Sequence, residues 1–527
     1  MGHHRQVPYH LLKGNPTLSV GADTGQGPGV GSGNLLVQGD NLLALKALLP
    51  YYAGRVKCIY IDPPYNTGNE KWVYNDNVNS PEIRQWLGRV VGKEGETLDR
   101  HDRWLCMMYP RLALLKEFLS EDGAIFVSID DNEVQHLRGL MDEVFGRERF
   151  VACCVWQKRY SRENRGSIGD VHEYIVVYAM NPDRFKEVRN PIPLDEKSAQ
   201  VYKNPNSAPR GRWRAIPMSA QGFRPNQMYK VELPSGKMLG PPTGRCWDKL
   251  EPEFLALKAA GRIYFGKKGN SAPGVIRYLD EVEGLVPWTW WPHEEVGHTD
   301  EAKKEVIPLA KGDEVAFDTP KPERLLKRII EIASNPGDLV LDCFAGSGTT
   351  AAVATKLGRR WLVCENQSFV ETLVTKRLKL VLSGQDFGKV DNAGSVGGGF
   401  RYVTLGEPLF NEAGELRGEV RFADLAAHVF FTETGEPLPG KVNGRRSPLI
   451  GVCRGTAYYL LFNGILGDKR PDGGNVLTGD VLAELPKHPA KGGGPRIVFG
   501  EACRLGAARL KREGVAFRQI PYQVKIS

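Results

Sequence analysis

The chain has no long apolar run. None of its hydrophobic stretches approaches the roughly 20 residues that a membrane-spanning helix needs, and the sequence does not open with the charged and then apolar segment of a secretory signal. It also lacks the Gly-x-x-x-x-Gly-Lys-Ser/Thr loop with which many ATPases hold phosphates. We therefore expect a cytoplasmic protein without a membrane anchor and without an ATP-binding P-loop of its own.

The nine cysteines are too scattered to form a framework. Their number is odd and no two follow a Cys-x-x-Cys spacing, so the sequence predicts neither a disulfide set nor a zinc site. His293 and His298 enclose two glutamates, but they stand five residues apart instead of the four of a zinc-protease helix. No bound metal is expected.

Size and charge are those of a multidomain globular protein. A chain of 527 residues, 41% of them hydrophobic, suffices for about three domains with ample cores. Lys and Arg outnumber Asp and Glu by 70 to 62, a net charge of +8. This excess is modest, so its distribution is more informative than its size.

Basic residues and aromatic residues are concentrated in two segments. Residues 201–230 contain six Lys or Arg, no Asp or Glu, and several aromatic side chains. Residues 156–165 form a second segment rich in basic and aromatic residues. Cations of this kind contact phosphates, while aromatic rings and guanidinium planes contact bases. The alternative is an irregular solvated surface with aromatic anchors. The candidate DNA contacts are Lys158, Arg159, Arg162, Arg210, Arg212, Arg214, Arg224 and Lys230.

A short motif after an apolar run carries the clearest chemistry. Residues 58–61 read as a buried strand, and Asp62-Pro63-Pro64-Tyr65 follows it directly. The prolines fix φ and remove two donors, so we expect the surrounding carbonyls to face outward as acceptors beside a carboxylate and an aromatic ring. Such a corner suits an exocyclic amine on a flat heterocycle. The alternative is an ordinary Pro-rich turn after a strand.

A glycine-rich turn lies far downstream. Residues 339–342 read as a strand, residues 343–350 as a tight turn with Gly346 and Gly348, and residues 351–357 as a helix. The next strand, residues 361–365, ends on Glu365, 17 positions after Gly348. A carboxylate so placed after a βαβ glycine turn binds a ribose diol. The turn by itself fits NAD, FAD or S-adenosylmethionine.

The two motifs together resemble those of β-class DNA adenine-N6 methyltransferases, in particular the modification subunits of type III restriction-modification systems. Residues 319–323, Thr-Pro-Lys-Pro-Glu, followed by a helical run over 324–334, resemble the motif that closes over the methionine end of S-adenosylmethionine. Residues 39–46 and 172–178 also resemble family motifs. The order of the motifs is that of the β class.

The resemblance implies roles for individual residues. Asp62, Pro63, Pro64 and Tyr65 would be catalytic, with the target adenine extruded from the duplex against Tyr65. Asp62 and the Pro63 carbonyl would accept the two N6 hydrogens, and Asp40 would receive the adenine amine of the cofactor. The residues that the resemblance assigns to S-adenosyl-L-methionine are Asp40, Asp62, Lys321, Asp342, Phe344, Ala345, Gly346, Gly348, Thr349 and Glu365.

Two alternatives remain. Cytosine-N4 methyltransferases use the same corner, usually with Ser at the position of Asp62, so Asp62 favours adenine. A nucleotide-binding Rossmann protein or a DNA-binding module would explain the glycine turn or the basic segments, but not the corner at residues 62–65. For residues 122–133, a plain capping turn and a direct catalytic role are both open.

These patterns predict an α/β fold, a doubly wound mixed sheet of the Rossmann-like methyltransferase type. The expected parts are an arm at 1–34, the first methyltransferase part at 35–185, a target-recognition insert at 186–314, the second methyltransferase part at 315–385, a linker at 386–399 and a C-terminal domain at 400–527 with one amphipathic helix at 501–513.

The resemblance also implies partners. The expected ones are double-stranded DNA, a second copy of the chain in a homodimer, and a separate ATP-dependent restriction subunit, since no nuclease signature is recognised here. The tail beyond residue 399 is the expected place for contacts with the second copy or with the restriction subunit, as a self-contained block outside the motifs.

Overall fold

The computed structural model describes residues 7–21, 33–67, 100–161, 167–194, 196–204, 208–309, 319–391, 398–411, 416–418, 420–465 and 468–520. The chain divides into two compact units. The first comprises residues 1–190 and 288–527, and the second comprises residues 191–287.

The strands, numbered in chain order, are β1 His10–Val20, β2 Asn34–Gln38, β3 Val56–Ile61, β4 Leu119–Ile129, β5 Phe150–Gln157, β6 His172–Ala179, β7 Trp213–Pro217, β8 Ser219–Gln221, β9 Val231–Glu232, β10 Met238–Leu239, β11 Arg245–Trp247, β12 Ile263–Tyr264, β13 Gly274–Tyr278, β14 Trp290–Trp291, β15 Leu339–Asp342, β16 Arg360–Glu365, β17 Phe400–Pro408, β18 Leu449–Cys453, β19 Thr456–Leu460, β20 Val476–Leu477, β21 Arg496–Gly500, β22 Ala502–Cys503 and β23 Val515–Gln519.

The α-helices within the described residues are α1 Asn41–Tyr52, α2 Arg100–Phe118, α3 Val134–Phe145, α4 Pro182–Val188, α5 Glu196–Ala199, α6 Glu251–Ala259, α7 His293–Val296, α8 Thr299–Val306, α9 Glu323–Ala333, α10 Thr349–Lys356, α11 Leu373–Leu382, α12 Phe422–Thr434, α13 Gly479–Glu484 and α14 Ala507–Arg512. None of them is long and apolar enough to cross a membrane.

The first unit is built on a ten-stranded mixed sheet in the order β1-β17-β2-β16-β15-β3-β4-β6-β5-β14. Every neighbouring pair from β17 to β4 is parallel, whereas β1 pairs with β17 and β6 pairs with β4 and β5 in antiparallel fashion. Separate apolar clusters cover its two faces, with alternate β3 residues such as Ile59 and Tyr60 assigned to different clusters. This confirms the predicted α/β class.

The topology brings the sequence motifs to one edge. β2, β16, β15 and β3 are consecutive parallel neighbours. Their carboxyl ends lead into Asp40, Glu365, Asp342 and Asp62, respectively. Ligand sites of open α/β sheets form outside the carboxyl ends of the strands, so four of the predicted site carboxylates share that location.

The structure draws the domain boundaries differently at three places. The predicted arm contributes β1, a strand of the main sheet. Residues 288–309, assigned to the insert by the sequence, lie in the first unit with β14, α7 and α8. The tail is not a self-contained block, because β17 lies between β1 and β2, and Leu425 and Phe430 of α12 join the main core.

The tail also forms a four-stranded sheet, β18-β19-β21-β23, with its own small core around Tyr459 and Val498. The amphipathic helix expected at 501–513 is shorter than predicted. It covers only Ala507–Arg512, since residues 502–503 pair with β20 as strand β22.

The second unit is small and rich in short strands. It contains the sheet β12-β13-β7 and the two-stranded ladders β11-β8 and β10-β9. Its core is formed by Met218, Val231, Leu233, Trp247, Phe254 and Phe265. The second unit, residues 191–287, spans fewer residues than the predicted insert, residues 186–314.

Candidate active site

The Asp62 carboxylate, directly after β3, is held by a lysine from a distant part of the chain. Lys321 Nζ lies 2.7 and 2.6 Å from the two Asp62 oxygens, and the Tyr65 hydroxyl donates to Oδ1 over 2.9 Å. Burial raises the pKa of Asp62 and Lys321 opposes that rise. Burial lowers the pKa of Lys321, but the charges of Asp62 and Glu173 outweigh it and the net direction is upward.

A second carboxylate, that of Glu173 on β6, completes this corner. The Tyr65 hydroxyl lies 3.0 Å from Glu173 Oε2, and Lys321 Nζ lies 3.7 Å from the same oxygen. The other Glu173 oxygen lies 3.4 Å from Lys158 Nζ. Asp62, Lys321, Glu173 and Lys158 therefore form a chain of alternating charges, and its two carboxylates contact the Tyr65 hydroxyl. The sequence analysis had identified residues 172–178 as resembling a family motif, without assigning a role to Glu173.

Lys158 does not lie where a phosphate contact would. Its side chain is 11% exposed, and its Nζ pairs with Asp170 at 3.0 Å in addition to Glu173. A buried ammonium with two carboxylate partners serves the ion-pair network behind Tyr65. The predicted contact of Lys158 with DNA is thus not supported by its placement, because the sequence shows a basic residue but not the carboxylates that fold against it.

The Pro64 carbonyl is satisfied inside the protein. Trp104 on α2 donates its indole N–H to this oxygen over 2.7 Å and is itself fully buried. The expectation that the carbonyls of the motif all face outward is therefore wrong for Pro64. Pro63 and Pro64 are both buried.

The turn after β15 is organised by Asp342. Its two oxygens accept hydrogen bonds from the Phe344 backbone N–H at 2.9 Å and the Thr350 hydroxyl at 2.5 Å. Burial raises the pKa of Asp342 to about 7, in spite of these hydrogen bonds. Gly346 and Gly348 have φ of +51° and +77°, the left-handed region that favours glycine. Asp342 therefore acts first as the internal brace of the glycine turn.

Gly348 is required by packing. A Cβ on Gly348 would lie 2.8 Å from Val374 Cγ1 on α11. The resemblance had assigned Gly348 to the cofactor site. At Gly348 the close neighbour is a helix of the protein itself.

Glu365 closes the turn from the next strand. One of its oxygens accepts from the Gly346 N–H at 2.7 Å, and the other accepts from the N–H groups of Asn366 and Gln367 at 2.9 and 3.2 Å. Burial raises the pKa of Glu365 to about 7, against the lowering effect of these donors. The carboxylate thus shapes the glycine turn directly.

Asp40 lies at the same sheet edge as Glu365. The Gly39 N–H donates to the Glu365 carbonyl over 3.0 Å. Asp40 Oδ1 caps α1 by accepting from Leu42 N at 2.9 Å, and Oδ2 lies 3.6 Å from an Arg111 nitrogen. The capping role was not predicted, although an Asp before an apolar helical run is a known signal for it.

A single cavity unites the motifs. The predicted residues that line it are Asp62, Lys321, Asp342, Phe344, Ala345, Gly346 and Thr349. Further lining residues are Tyr60, Thr319, Pro320, Leu326, Ser347 and Thr350. All of these further residues belong to segments that the sequence analysis had described. The segments as a whole therefore predicted the lining of the cavity more completely than the individual residues assigned from them.

A polar cluster lies directly behind the corner. Glu133, fully buried, accepts from Asn66 Nδ2 at 2.5 Å and from His101 Nδ1 at 2.6 Å through one oxygen, and its other oxygen lies 2.9 Å from His136 Nδ1. The side chain makes no capping hydrogen bond to α3. The ligand atoms of the two histidines and Glu133 all lie within 4.8 Å of one another. The sequence analysis had singled out only one member of this cluster, Glu133, as the last residue of the segment 122–133.

The remaining candidate DNA contacts are dispersed. Arg159 is exposed in the first unit, and Arg162 lies outside the described residues. In the second unit, Arg210 pairs with Asp280 and Glu281, and Arg212 pairs with Glu196. Three exposed residues of that unit make no ion pair among those seen in the described chain, namely Arg214, Arg224 and Lys230.

Comparison with known proteins gives consistent matches. A family model described as DNA methylase matches residues 56–376. The chain is 35% identical over 371 residues to the Mod subunit of the StyLTI type III restriction-modification enzyme of Salmonella typhimurium, covering 66% of this chain and 54% of that protein. It is 33% identical over 383 residues to the EcoPI Mod subunit of Escherichia phage P1, covering 64% and 57%.

The chain thus spans a little over half the length of these curated relatives. Among solved structures, it is similar to the cytosine-N4-specific PvuII DNA methyltransferase with a TM-score of 0.34 and 13% identity, over 70% of this chain and 92% of that one.

Proposed function

Because the chain belongs to the DNA methylase family, we propose that it transfers the methyl group of S-adenosyl-L-methionine to N6 of adenine in double-stranded DNA. The observation that carries this proposal is the single cavity that joins Asp62 and Lys321 to the glycine turn. One side of the cavity offers acceptors for an amine, and the other offers a nucleoside site.

The residues around the cavity fit S-adenosyl-L-methionine. The carboxylates of Glu365 and Asp40 lie at the edge where ribose hydroxyls and an adenine amine would be received, and Gly346 and Phe344 supply backbone beside it. A carboxylate has about four acceptor sites, so Glu365, with three donors already bound, retains one for a hydroxyl. When bound, the cofactor supplies an electrophilic methyl group on a sulfonium.

Asp62 has the acceptor capacity that the reaction requires. Of its roughly four lone-pair sites, Lys321 uses two and the Tyr65 hydroxyl uses one. One site remains for an N6 hydrogen, and the Pro63 carbonyl would take the other. The Pro64 carbonyl is committed to Trp104 and takes no part.

The chain would work chiefly by positioning. The extruded adenine stacks on the Tyr65 ring, which the Asp62 and Glu173 contacts hold by its hydroxyl. Asp62 directs the nitrogen lone pair along the line of transfer, and the proton of N6 is released afterwards. No covalent intermediate with the protein is needed, and most of the rate comes from alignment and electrostatics.

Modification-sensitive sequencing of DNA from cells that express the chain tests the chemistry. We expect N6-methyladenine at one recurring sequence with the wild type and none with Asp62→Ala. Methylation at cytosine N4 would replace the adenine assignment, and methylation retained in Asp62→Ala would remove Asp62 from the mechanism. A thermal shift with S-adenosylhomocysteine but not with NAD is the matching test of the cofactor.

The second unit is the proposed reader of sequence. Its exposed Arg214, Arg224 and Lys230 are available to a nucleic acid. Exchanging residues 191–287 for the matching region of a relative should change the methylated sequence and leave the methylated atom unchanged. A hybrid that still methylates the original sequence would show that another part of the chain reads it.

The relatives named as Mod subunits suggest an assembly. We propose that the chain forms a homodimer and lends its sequence specificity to a separate ATP-dependent restriction subunit. The mass of one chain is 58.5 kDa, and light scattering should give twice that mass. In a separate pull-down experiment, a tagged chain should retain a restriction subunit encoded beside it. A monomer that still methylates DNA would contradict the dimer.

A further inference from the structure

Asn66, which directly follows the Asp62-Pro63-Pro64-Tyr65 corner, has a strained backbone and a buried side-chain hydrogen bond. Asn66 adopts φ of +57°, a left-handed conformation that is uncommon outside glycine, although Asn tolerates it better than most residues. Its side chain is 2% exposed and donates to Glu133 Oε1 over 2.5 Å. A backbone in this conformation persists when its surroundings hold it there.

Glu133 is in turn fixed from two helices. His101, in the first turn of α2, reaches one of its oxygens, and His136, in the first turn of α3, reaches the other. His101 stands three residues before Trp104, so both lie on one face of α2. Trp104 holds the Pro64 carbonyl while His101 holds Glu133. The corner is thus supported from behind at two successive points.

The separations are those of hydrogen bonds rather than of metal ligands. Ligand atoms bonded to one zinc ion at about 2.0–2.1 Å in tetrahedral geometry are roughly 3.3 Å apart. The two imidazole nitrogens lie 2.6 and 2.9 Å from the Glu133 oxygens. Each imidazole N–H and the Asn66 amide supply a donor, and together they satisfy a carboxylate that has no exposure to solvent.

We infer that Glu133 is a positioning residue, which holds the Asp62–Tyr65 corner in the geometry for methyl transfer through its hydrogen bond to Asn66. The inference rests on the proposed function. It assigns to Glu133 no contact with the base or the cofactor. A shift of the corner by about 1 Å is enough to lower an aligned reaction on the order of 100-fold.

Exchanging donor and acceptor tests the inference. Asn66→Asp alone sets two carboxylates against each other, and Glu133→Gln alone replaces the charged acceptor by an amide. In the double variant, the new amide at position 133 donates to the new carboxylate at position 66 and to His101 in its other tautomer, while the amide oxygen accepts from His136. All three contacts are then retained with side chains of nearly unchanged shape.

We expect each single variant to lower the single-turnover transfer rate at least ten-fold, with the Kd for S-adenosylhomocysteine changed less than two-fold. The double variant should recover most of the rate. Glu143→Gln, an exposed site on α3, is the matched control and should keep the wild-type rate. Single variants at full rate, or a double variant as slow as the singles, would overturn the inference.

Two further measurements separate the alternatives. If the wild type loses its transfer rate on treatment with a chelator and regains it with one equivalent of zinc, the cluster of Glu133, His101 and His136 is a metal site and not a hydrogen-bonded support of Asn66. The coupling between positions 66 and 133 is also measured from melting temperatures, without any substrate. Strong coupling in a chain that methylates no DNA would reject the proposed function but confirm the contact between Asn66 and Glu133. Absent coupling would reject the contact itself.

Discussion

Replacing Glu323 with alanine should destabilise the first unit by about 3–5 kcal/mol, the cost of breaking a buried ion-pair network on one side. Glu323 opens α9 and has no exposure to solvent. Its carboxylate oxygens lie 2.7 Å from Lys356 Nζ and 3.0 Å from an Arg377 nitrogen, and one also accepts from the Val390 N–H at 3.2 Å. The alanine variant leaves the two buried cations short of an acceptor.

The same helix provides a control of equal pair length. Glu331 pairs with Lys327 at 2.7 Å, but these side chains are 30% and 38% exposed. Such a pair contributes about 0.3–0.5 kcal/mol, so Glu331→Ala should be nearly neutral. Urea unfolding followed by circular dichroism gives both differences. Equal losses in the two variants would refute the reasoning that burial, and not pair geometry, sets the cost.

Three further predictions concern the glycine turn and its carboxylates. Glu365→Ala should weaken S-adenosylhomocysteine binding by about 1.5–3 kcal/mol in calorimetry, and an unchanged Kd would move the ribose site elsewhere. Because burial raises the pKa of Asp342 from 3.8 to about 7, the folded chain keeps a proton there that the unfolded chain has released. The contribution of Asp342 to the free energy of unfolding therefore falls as pH rises from about 4 to 7. In urea unfolding, the stability of Asp342→Asn relative to the wild type should increase between pH 5 and pH 8. A stability difference that stays constant over this range would contradict the raised pKa. Gly348→Ala should lower the free energy of unfolding by at least about 1–2 kcal/mol, because alanine is strained in the left-handed backbone of this position. Adding Val374→Ala should relieve only the clash with the Val374 side chain. A melting temperature that is fully restored by the second change would show that the left-handed φ costs little.

Local patterns predicted the elements that carry the motifs. The strand predicted at residues 339–342 is β15, the helix at 324–334 is α9 within one residue at each end, and the strand before Asp62 is β3. The two strands are short apolar runs and the helix is amphipathic, and nearby Gly, Pro and Asp residues mark their ends in the sequence. The glycine turn and the corner at residues 62–65 meet because parallel neighbours end at one edge.

Contacts between distant residues were beyond the sequence. Lys158 and Glu173 both belong to recognisable segments, yet their pairing is set by the antiparallel neighbours β5 and β6. The support of Asn66 by Glu133 joins three separate stretches of chain, around residues 66, 101 and 133–136. The place of β17 between β1 and β2 could not be predicted either, because no local pattern specifies a partner nearly 400 residues away.

The position of β2 also has a consequence for the growing chain on the ribosome. β2 is made before both of its neighbours in the sheet, β16 and β17, and β16 begins about 320 residues later. At a synthesis rate of about 5–20 residues per second, the apolar residues Leu35, Leu36 and Val37 wait roughly 15 to 65 s for either partner. During that interval a strand with two open edges can pair with another nascent chain. Yield in expression should therefore depend on chaperone supply and on translation speed before residue 360, even for variants whose folded state is as stable as the wild type.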